Sequence, residues 1–142
     1  MSNLLYVYAL CTVFLFFKMF LISAYQGYYR IKNKAFKNKE DAEFLRVSAQ
    51  TVELPQVVKA QQAWLNDLES IPLFWVLGGL CIFLNTDYLT TKWVFIIFTF
   101  SRVLHTFTYL ASMQPWRTIS YIVGILCLFV MAIKITETVI LL

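Results

Sequence analysis

Residues 61–72, QQAWLNDLESIP, lead without interruption into an apolar run over residues 73–84. If one helix spans both parts, it carries Asn66, Asp67 and Glu69 into a membrane. The polar side chains that share one face at helical spacing are Lys59, Gln62, Asn66 and Glu69. Ionisable groups inside a membrane almost always face the interior of a bundle or a wet cavity. This stretch therefore predicts the floor of a polar site built between helices.

The composition indicates an integral membrane protein with a single domain over residues 1–142. The chain is 60% hydrophobic and only 14% charged, whereas about 25% of the residues of a soluble domain are charged. The net charge is +4, and most of the Lys and Arg side chains lie between Arg30 and Lys59. A basic loop of this kind is typical of the cytoplasmic flank of a membrane span, and nothing in it indicates a nucleic-acid surface.

Four apolar segments predict an all-α fold, a four-helix bundle in the membrane. The predicted spans cover residues 4–25, 56–84, 92–111 and 116–140, and a polar loop covers residues 30–56. About 20 residues suffice for a helix to cross a bilayer. Because the later connections are short, we expect neighbouring spans to run antiparallel. The positive-inside rule places the basic loop in the cytoplasm and both termini on the opposite side.

Two features of the first half of the chain, a lysine inside the first span and a short helix in the polar loop, lead to further predictions. Lys18 interrupts the first span near its inner end. It either snorkels to the interface or pairs with a partner inside the bundle, and both interpretations are open. In the polar loop, a short interfacial helix is predicted to begin near Asn38.

Polar side chains at the inner ends of the spans are expected to converge. They are Asn66, Asp67, Glu69, Arg102, His105, Tyr109, Arg117, Thr118 and Tyr121, with Arg30 close to the same depth. One interpretation is structural, with buried polar groups such as an Asp67–Arg102 ion pair linking the helices. The whole set, with several donors and few acids, favours an anionic, zwitterionic ligand. The lone His105 has no Cys or carboxylate at metal-ligand spacing beside it, which argues against a metal site.

The chain resembles the MAPEG family, the membrane-associated proteins of eicosanoid and glutathione metabolism, and in particular its glutathione transferase and prostaglandin E synthase branches. The stretches that carry the resemblance are Lys18-Met19, Arg30 with residues 34–36 and 38–42, Asn66-Asp67-Leu68-Glu69, residues 102–106 with Tyr109-Leu110, and Pro115-Trp116-Arg117. The resemblance implies a homotrimer of four-helix protomers, with glutathione bound between protomers.

The resemblance also implies roles for individual residues. The residues implied to contact glutathione are Arg30, Asn66, Glu69, His105, Tyr109, Arg117 and Tyr121. Arg117 matches an arginine that stabilises the glutathione thiolate, and Thr118 stands where the synthases have Ser. Asp41 matches a loop carboxylate implicated in prostaglandin synthase chemistry. A guanidinium at a helix N-terminus favours a thiolate through its charge and the helix dipole, which agrees with the role of Arg117.

The chain departs from the family pattern before Asn66. The family commonly carries several arginines and a histidine there, and this chain has Val58, Lys59, Gln62, Ala63 and Trp64. Leu65 stands where prostaglandin synthases have Arg and transferases have Leu. Leu65 therefore favours a transferase or peroxidase over an isomerase.

The sequence supports three alternative hypotheses about function. The first is an enzyme that conjugates glutathione to hydrophobic electrophiles, as in detoxification, or that reduces lipid hydroperoxides as a peroxidase. The second is a glutathione-dependent, prostaglandin-synthase-like isomerase. The third, which the missing arginines favour, is a non-catalytic scaffold or lipid-binding trimer. The excess of Lys over Arg favours a bacterial cytoplasmic membrane, with the endoplasmic reticulum as the alternative.

Overall fold

A computed structural model describes residues 3–141, and helices are the only regular elements in that part of the chain. The helices are α1 (Asn3–Lys32), α2 (Lys39–Phe44), α3 (Pro55–Phe83), α4 (Tyr88–Leu110) and α5 (Trp116–Ile140). All but α2 are long and apolar enough to cross a membrane. The predicted all-α membrane bundle is thereby confirmed. Residues 1, 2 and 142 lie outside the described part, and the single domain over residues 1–142 stays a prediction.

The ends of the helices follow from local chemistry. Asp87 caps α4, since its carboxylate accepts a hydrogen bond from the Thr90 N–H at 2.8 Å. This cap explains why α4 begins at Tyr88, ahead of the predicted span start at Lys92. Pro55 occupies the first turn of α3, where its missing N–H costs nothing. The short helix predicted to begin near Asn38 is present as α2, with Asn38 as its N-cap residue.

The two central helices of the bundle are α3 and α4. They contact each other, and both α1 and α5 pack against the same pair. The N-termini of α3 and α5, the C-termini of α1 and α4, and α2 share one end of the bundle, which we call the loop end. Contacts across it include the Arg30–Glu53 ion pair and the hydrogen bond from Lys59 Nζ to Ser112 Oγ.

An aromatic stack fills the core between α3 and α4. The rings of Phe74 and Phe98 lie parallel with centroids 4.6 Å apart, and Phe95 meets Phe74 edge-on at 5.5 Å. Such offset and edge contacts stabilise beyond the burial of area alone. Large apolar side chains such as Phe20, Phe100 and Phe129 are instead exposed on the outside of the chain. An exposed apolar exterior over a packed core is what a bilayer solvates.

Helix α1 is held against α3 by a close contact at Gly78. Tyr8 donates a hydrogen bond to the Trp75 carbonyl at 2.6 Å, which fixes its ring over the glycine. A Cβ placed on Gly78 would lie 2.6 Å from Tyr8 Cε2, whereas one on Gly79 would approach only to 3.7 Å of the Tyr8 hydroxyl. Gly78 therefore sets the separation of the two helices.

A polar cluster, which we call the Asp67 cluster, links three helices at membrane depth. Asp67 is fully buried, and its Oδ2 accepts hydrogen bonds from Lys18 Nζ of α1 and, at 3.5 Å, from Thr106 of α4. Arg102 Nε lies 3.9 Å from Asp67 Oδ1, and Arg102 Nη1 donates to Ser70 at 2.8 Å. Of the two interpretations of Lys18, the structure therefore shows pairing inside the bundle.

Replacing Gly78 with Ala is expected to destabilise the bundle, because the new methyl group meets a ring held by a hydrogen bond and by aromatic packing. Overpacking of this kind costs about 1–3 kcal/mol. Gly79→Ala is the matched control, since it adds the same group at ordinary contact distance. Thermal unfolding of the purified proteins in detergent measures the difference, and equal midpoints for the two variants would contradict the close contact.

Asp67→Asn is expected to destabilise the fold strongly, because it leaves Lys18 and Arg102 buried without a compensating charge. Removing one partner from a buried ion pair costs about 3–5 kcal/mol. The control is Glu137→Gln, which breaks a half-exposed pair with Lys134 and is expected to cost less than about 1 kcal/mol. Thermal unfolding compares the two, and an Asp67→Asn midpoint as high as that of the control would contradict this role.

Candidate functional site

Six of the predicted site residues line one cleft at the loop end, which we call the α3–α5 cleft. They are Asn66 of α3, His105 and Tyr109 of α4, and Arg117, Thr118 and Tyr121 of α5. The cleft encloses about 280 Å³. These residues meet because α4 and α5 run antiparallel through a short connection, which brings the last turns of one beside the first turns of the other.

Arg117 is the cation of this cleft. It lies in the first turn of α5, and its guanidinium carbon is 4.7 Å from the centre of the Tyr109 ring. With the Gln114 amide turned so that its oxygen faces Arg117, that oxygen is 2.6 Å from Nη2 and 3.2 Å from Nε. The Gln114 nitrogen then donates to Thr118 at 3.1 Å. Gln114 was missed from the sequence, because a glutamine in a short connection carries no periodic signal.

His105 joins α4 to the first turn of α5. Its Nδ1 lies 3.0 Å from the Arg117 carbonyl oxygen, so Nδ1 carries the proton and donates it. Its Nε2 is buried and has no hydrogen-bond partner among the described residues. The rings of Tyr109 and Tyr121 each lie 5.7 Å from the imidazole. His105 thus fixes the backbone that carries Arg117 and leaves an acceptor nitrogen between two tyrosines.

Of the predicted polar stripe on α3, only part turns toward the cleft. Asn66 lines the cleft, and Gln62 accepts a hydrogen bond from the Tyr109 hydroxyl at 2.9 Å. Lys59 does not line the cleft and instead donates a hydrogen bond to Ser112. Glu69 is exposed and does not line the cleft within the chain.

Arg30 and Asp41 line a different cavity, the loop cleft, of about 470 Å³. Arg30 is paired with Glu53, whose Oε2 lies 2.6 Å from Nη2 and 3.1 Å from Nε. Partial burial raises the pKa of Glu53, but hydrogen bonds from Arg30 and from the Leu54 N–H outweigh it and hold that pKa below its usual value. Glu53 was missed from the sequence, where it is one charged loop residue among many.

Arg102 connects the buried Asp67 cluster to the α3–α5 cleft. Its guanidinium carbon lies 5.6 Å from the centre of the Tyr121 ring, and the same side chain contacts Ser70 and Asp67. The predicted Asp67–Arg102 pair is therefore long and shared with Lys18. Its role in holding the site stays a prediction.

The α3–α5 cleft has the chemistry of an anion site. One guanidinium, three hydroxyl groups, an amide and an imidazole line it, and no carboxylate is among its lining residues in the described chain. A guanidinium at a helix N-terminus adds its charge to the positive end of the helix dipole. Among the described residues, no group of three or more His, Cys, Asp or Glu side chains is placed to hold a metal ion.

Comparison with known proteins agrees with this architecture. The chain is 31% identical to prostaglandin E synthase of Bos taurus, over 94% of this chain and 88% of that protein. It is 34% identical to prostaglandin E synthase of Rattus norvegicus with the same coverage. It is 33% identical to human microsomal glutathione S-transferase 1, over 75% of this chain and 72% of that protein. The model of the MAPEG family matches residues 8–136, and the chain belongs to this family.

Proposed function

We propose that the protein is a glutathione-dependent membrane enzyme that conjugates glutathione to hydrophobic electrophiles or reduces lipid hydroperoxides. The observation that carries the proposal is the α3–α5 cleft, where Arg117 is the cation among neutral donors. The relatives named as glutathione transferase and prostaglandin E synthase support a glutathione enzyme of this general kind. The cell membrane of a bacterium is the favoured location, with the endoplasmic reticulum as the alternative.

Arg117 would act on the glutathione sulfur. The thiolate is the nucleophile, and a free thiol with a pKa of about 8.5 is mostly protonated at neutral pH. Each unit by which the site lowers that pKa corresponds to about 1.4 kcal/mol of preference for the thiolate. Tyr109 and Gln114 hold the guanidinium in place, and the Thr118 hydroxyl lies beside it as a further donor. In conjugation, the thiolate forms the bond to the electrophilic carbon and the leaving group departs.

Glutathione has two carboxylates and an ammonium group, so the α3–α5 cleft of one chain does not match all of its charges. Arg30 and Asp41 lie in the loop cleft, and Glu69 is exposed. The homotrimer that the family resemblance implies would bring the loop cleft of one protomer to the α3–α5 cleft of its neighbour. Asn66, His105, Tyr109 and Tyr121 would then complete the glutathione site around Arg117.

A glutathione-dependent isomerase of the prostaglandin synthase type is the second candidate. Asp41 favours it, because its carboxylate lines the loop cleft beside Arg30 and matches a carboxylate implicated in that chemistry. Leu65 favours the transferase, because it stands where the prostaglandin synthases have Arg. Purified protein with glutathione and either an aryl halide, a lipid hydroperoxide or an endoperoxide separates the reactions. The absence of turnover on all three would favour the scaffold or lipid-binding trimer.

Arg117→Ala is expected to abolish turnover while leaving the fold intact, because the side chain is partly exposed and its loss leaves no buried group unpaired. Removing one group that stabilises a developing anion typically costs about 10²–10³ in kcat. Arg46→Ala is the control, since Arg46 is exposed in the loop after α2 and lines neither cleft. Unchanged turnover in Arg117→Ala, with both variants folded, would remove Arg117 from the mechanism.

Glutathione binding is expected to lower the pKa of its thiol below about 8.5. Calorimetry on the purified protein measures the binding, and thiolate absorbance against pH measures the pKa of the bound thiol. Turnover should rise with pH through that lowered pKa and reach a plateau above it, since only the thiolate reacts. In Arg117→Ala, the pKa should return towards that of free glutathione. A bound thiol with an ordinary pKa in the unaltered protein would argue against thiolate stabilisation.

A further inference from the structure

A third cavity lies on the side of α4 that faces away from the α3–α5 cleft. This α1–α4 groove encloses about 410 Å³, a volume within the range of about 300–1,000 Å³ that is typical of ligand pockets. Apart from Lys18, Tyr25 and Thr106, the residues that line it are apolar. The residues of α4 that line the groove include Thr106 and Phe107, whereas His105 and Tyr109 of the same helix line the α3–α5 cleft. The two cavities are therefore separate sites.

The groove continues along the bundle as an apolar trough. A neighbouring cleft of about 390 Å³ shares Phe14 and Val103 with it and extends toward Leu10 and Ile96. Both lie between α1 and α4, and both are bordered by exposed apolar side chains of the membrane-spanning segments, such as Phe14 and Phe100. The trough thus has the elongated form and the lining that suit a hydrocarbon chain.

The floor of the groove carries excess positive charge. Lys18 lines it with about nine-tenths of its side chain buried, and Thr106 lies beside it. In the described chain, the Asp67 cluster has two cations, Lys18 and Arg102, and a single carboxylate. Nε and Nη2 of Arg102 have no hydrogen-bond partner among the described residues. The cluster therefore keeps one net positive charge among its described residues, and a second anion that reaches Lys18 would balance it.

The depth of Lys18 in the membrane favours a carboxylate over a phospholipid phosphate as the bound anion. Lys18 precedes Tyr25, the predicted inner end of the first span, by about 10 Å of helix at 1.5 Å per residue. A phospholipid headgroup at the interface does not reach this depth without drawing its phosphate inward. A terminal carboxylate is small enough to follow its own chain into the groove. An ammonium also makes charge-assisted hydrogen bonds to carboxylates and has donors beyond the one that Asp67 uses.

We infer that the α1–α4 groove binds one long-chain fatty acid, with its carboxylate on Lys18 and Thr106 and its hydrocarbon chain along the trough. The site uses none of the residues assigned to glutathione, so it stands or falls separately from the proposed enzyme. Because the carboxylate would share Lys18 with Asp67, occupancy acts directly on the ion pair that links α1 to α3.

The test compares two ligands that differ in charge. Delipidated protein in phosphatidylcholine nanodiscs is titrated with oleate and with oleyl alcohol, which keeps the chain and lacks the carboxylate. Oleate is expected to bind saturably at one per chain and more tightly than the alcohol. Lys18→Met should weaken oleate binding about tenfold or more and leave the alcohol unchanged, and Lys18→Arg should retain the preference for oleate. Lys134→Met, which removes a lysine on α5, is the control for net charge and should bind oleate as the unaltered protein does.

A second measurement needs no substitution, in case Lys18→Met does not fold. A fatty acid with a diazirine in its chain is photolysed in the unaltered protein, and the labelled peptides are identified by mass spectrometry. Labelling is expected on α1 and α4 along the trough, around Phe14, Val103 and Ile96, with displacement by oleate at lower concentration than by oleyl alcohol. Equal affinity for the two ligands, unchanged oleate binding in a folded Lys18→Met, or labelling spread over α3 and α5 would overturn the proposal. So would a groove that stays unlabelled because a phospholipid or a second copy of the chain covers it.

Discussion

The bundle depends on one buried carboxylate, that of Asp67, which two buried cations share. Asp67 is fully buried on α3 and bonds Lys18 of α1, while Arg102 of α4 approaches its other oxygen. The cost of taking these charges out of water is offset only while all three are present. This requirement fixes the rotation of each helix about its axis, because a small turn would withdraw one partner. Apolar packing alone constrains that rotation less tightly.

The fixed rotation of α4 explains how one helix serves two different cavities. With Arg102 turned toward Asp67, His105 and Tyr109 face α5 and the polar cleft, and Phe107 and Leu110 face α1 and the apolar groove. The hydrophilic and lipophilic sides of the molecule are thereby kept apart by the thickness of one helix. Under the two proposals, glutathione would reach the polar cleft from the aqueous side and the fatty acid would reach the groove from the bilayer.

The sequence predicts the four long helices well because length and apolar composition determine them. It also predicts a short helix from near Asn38, and α2 begins at Lys39. The sequence also predicts that Asn66, His105 and Arg117 lie close together, because their helical phase and the antiparallel order of the helices are enough to place them. It does not predict the exposure of Glu69, because three residues on a helix leave it about 60° away from Asn66. Nor does it reveal that Glu53 binds Arg30 or that Gln114 holds Arg117. Such partners lie in irregular segments, where no periodicity indicates which side chains meet. The choice between pairing and snorkelling for Lys18 likewise depends on which helix faces it.

The arrangement of α1 and α5 on opposite flanks of the α3–α4 pair has an energetic consequence. The two outer helices contact the same central pair and share no packed interface of their own in the described chain. Substitutions far apart with no common neighbour usually combine additively. Within one chain, changes on the outer faces of α1 and α5 should therefore be energetically independent. The buried groups that connect the two flanks inside the described chain are Lys18, Asp67, Arg102 and Tyr121.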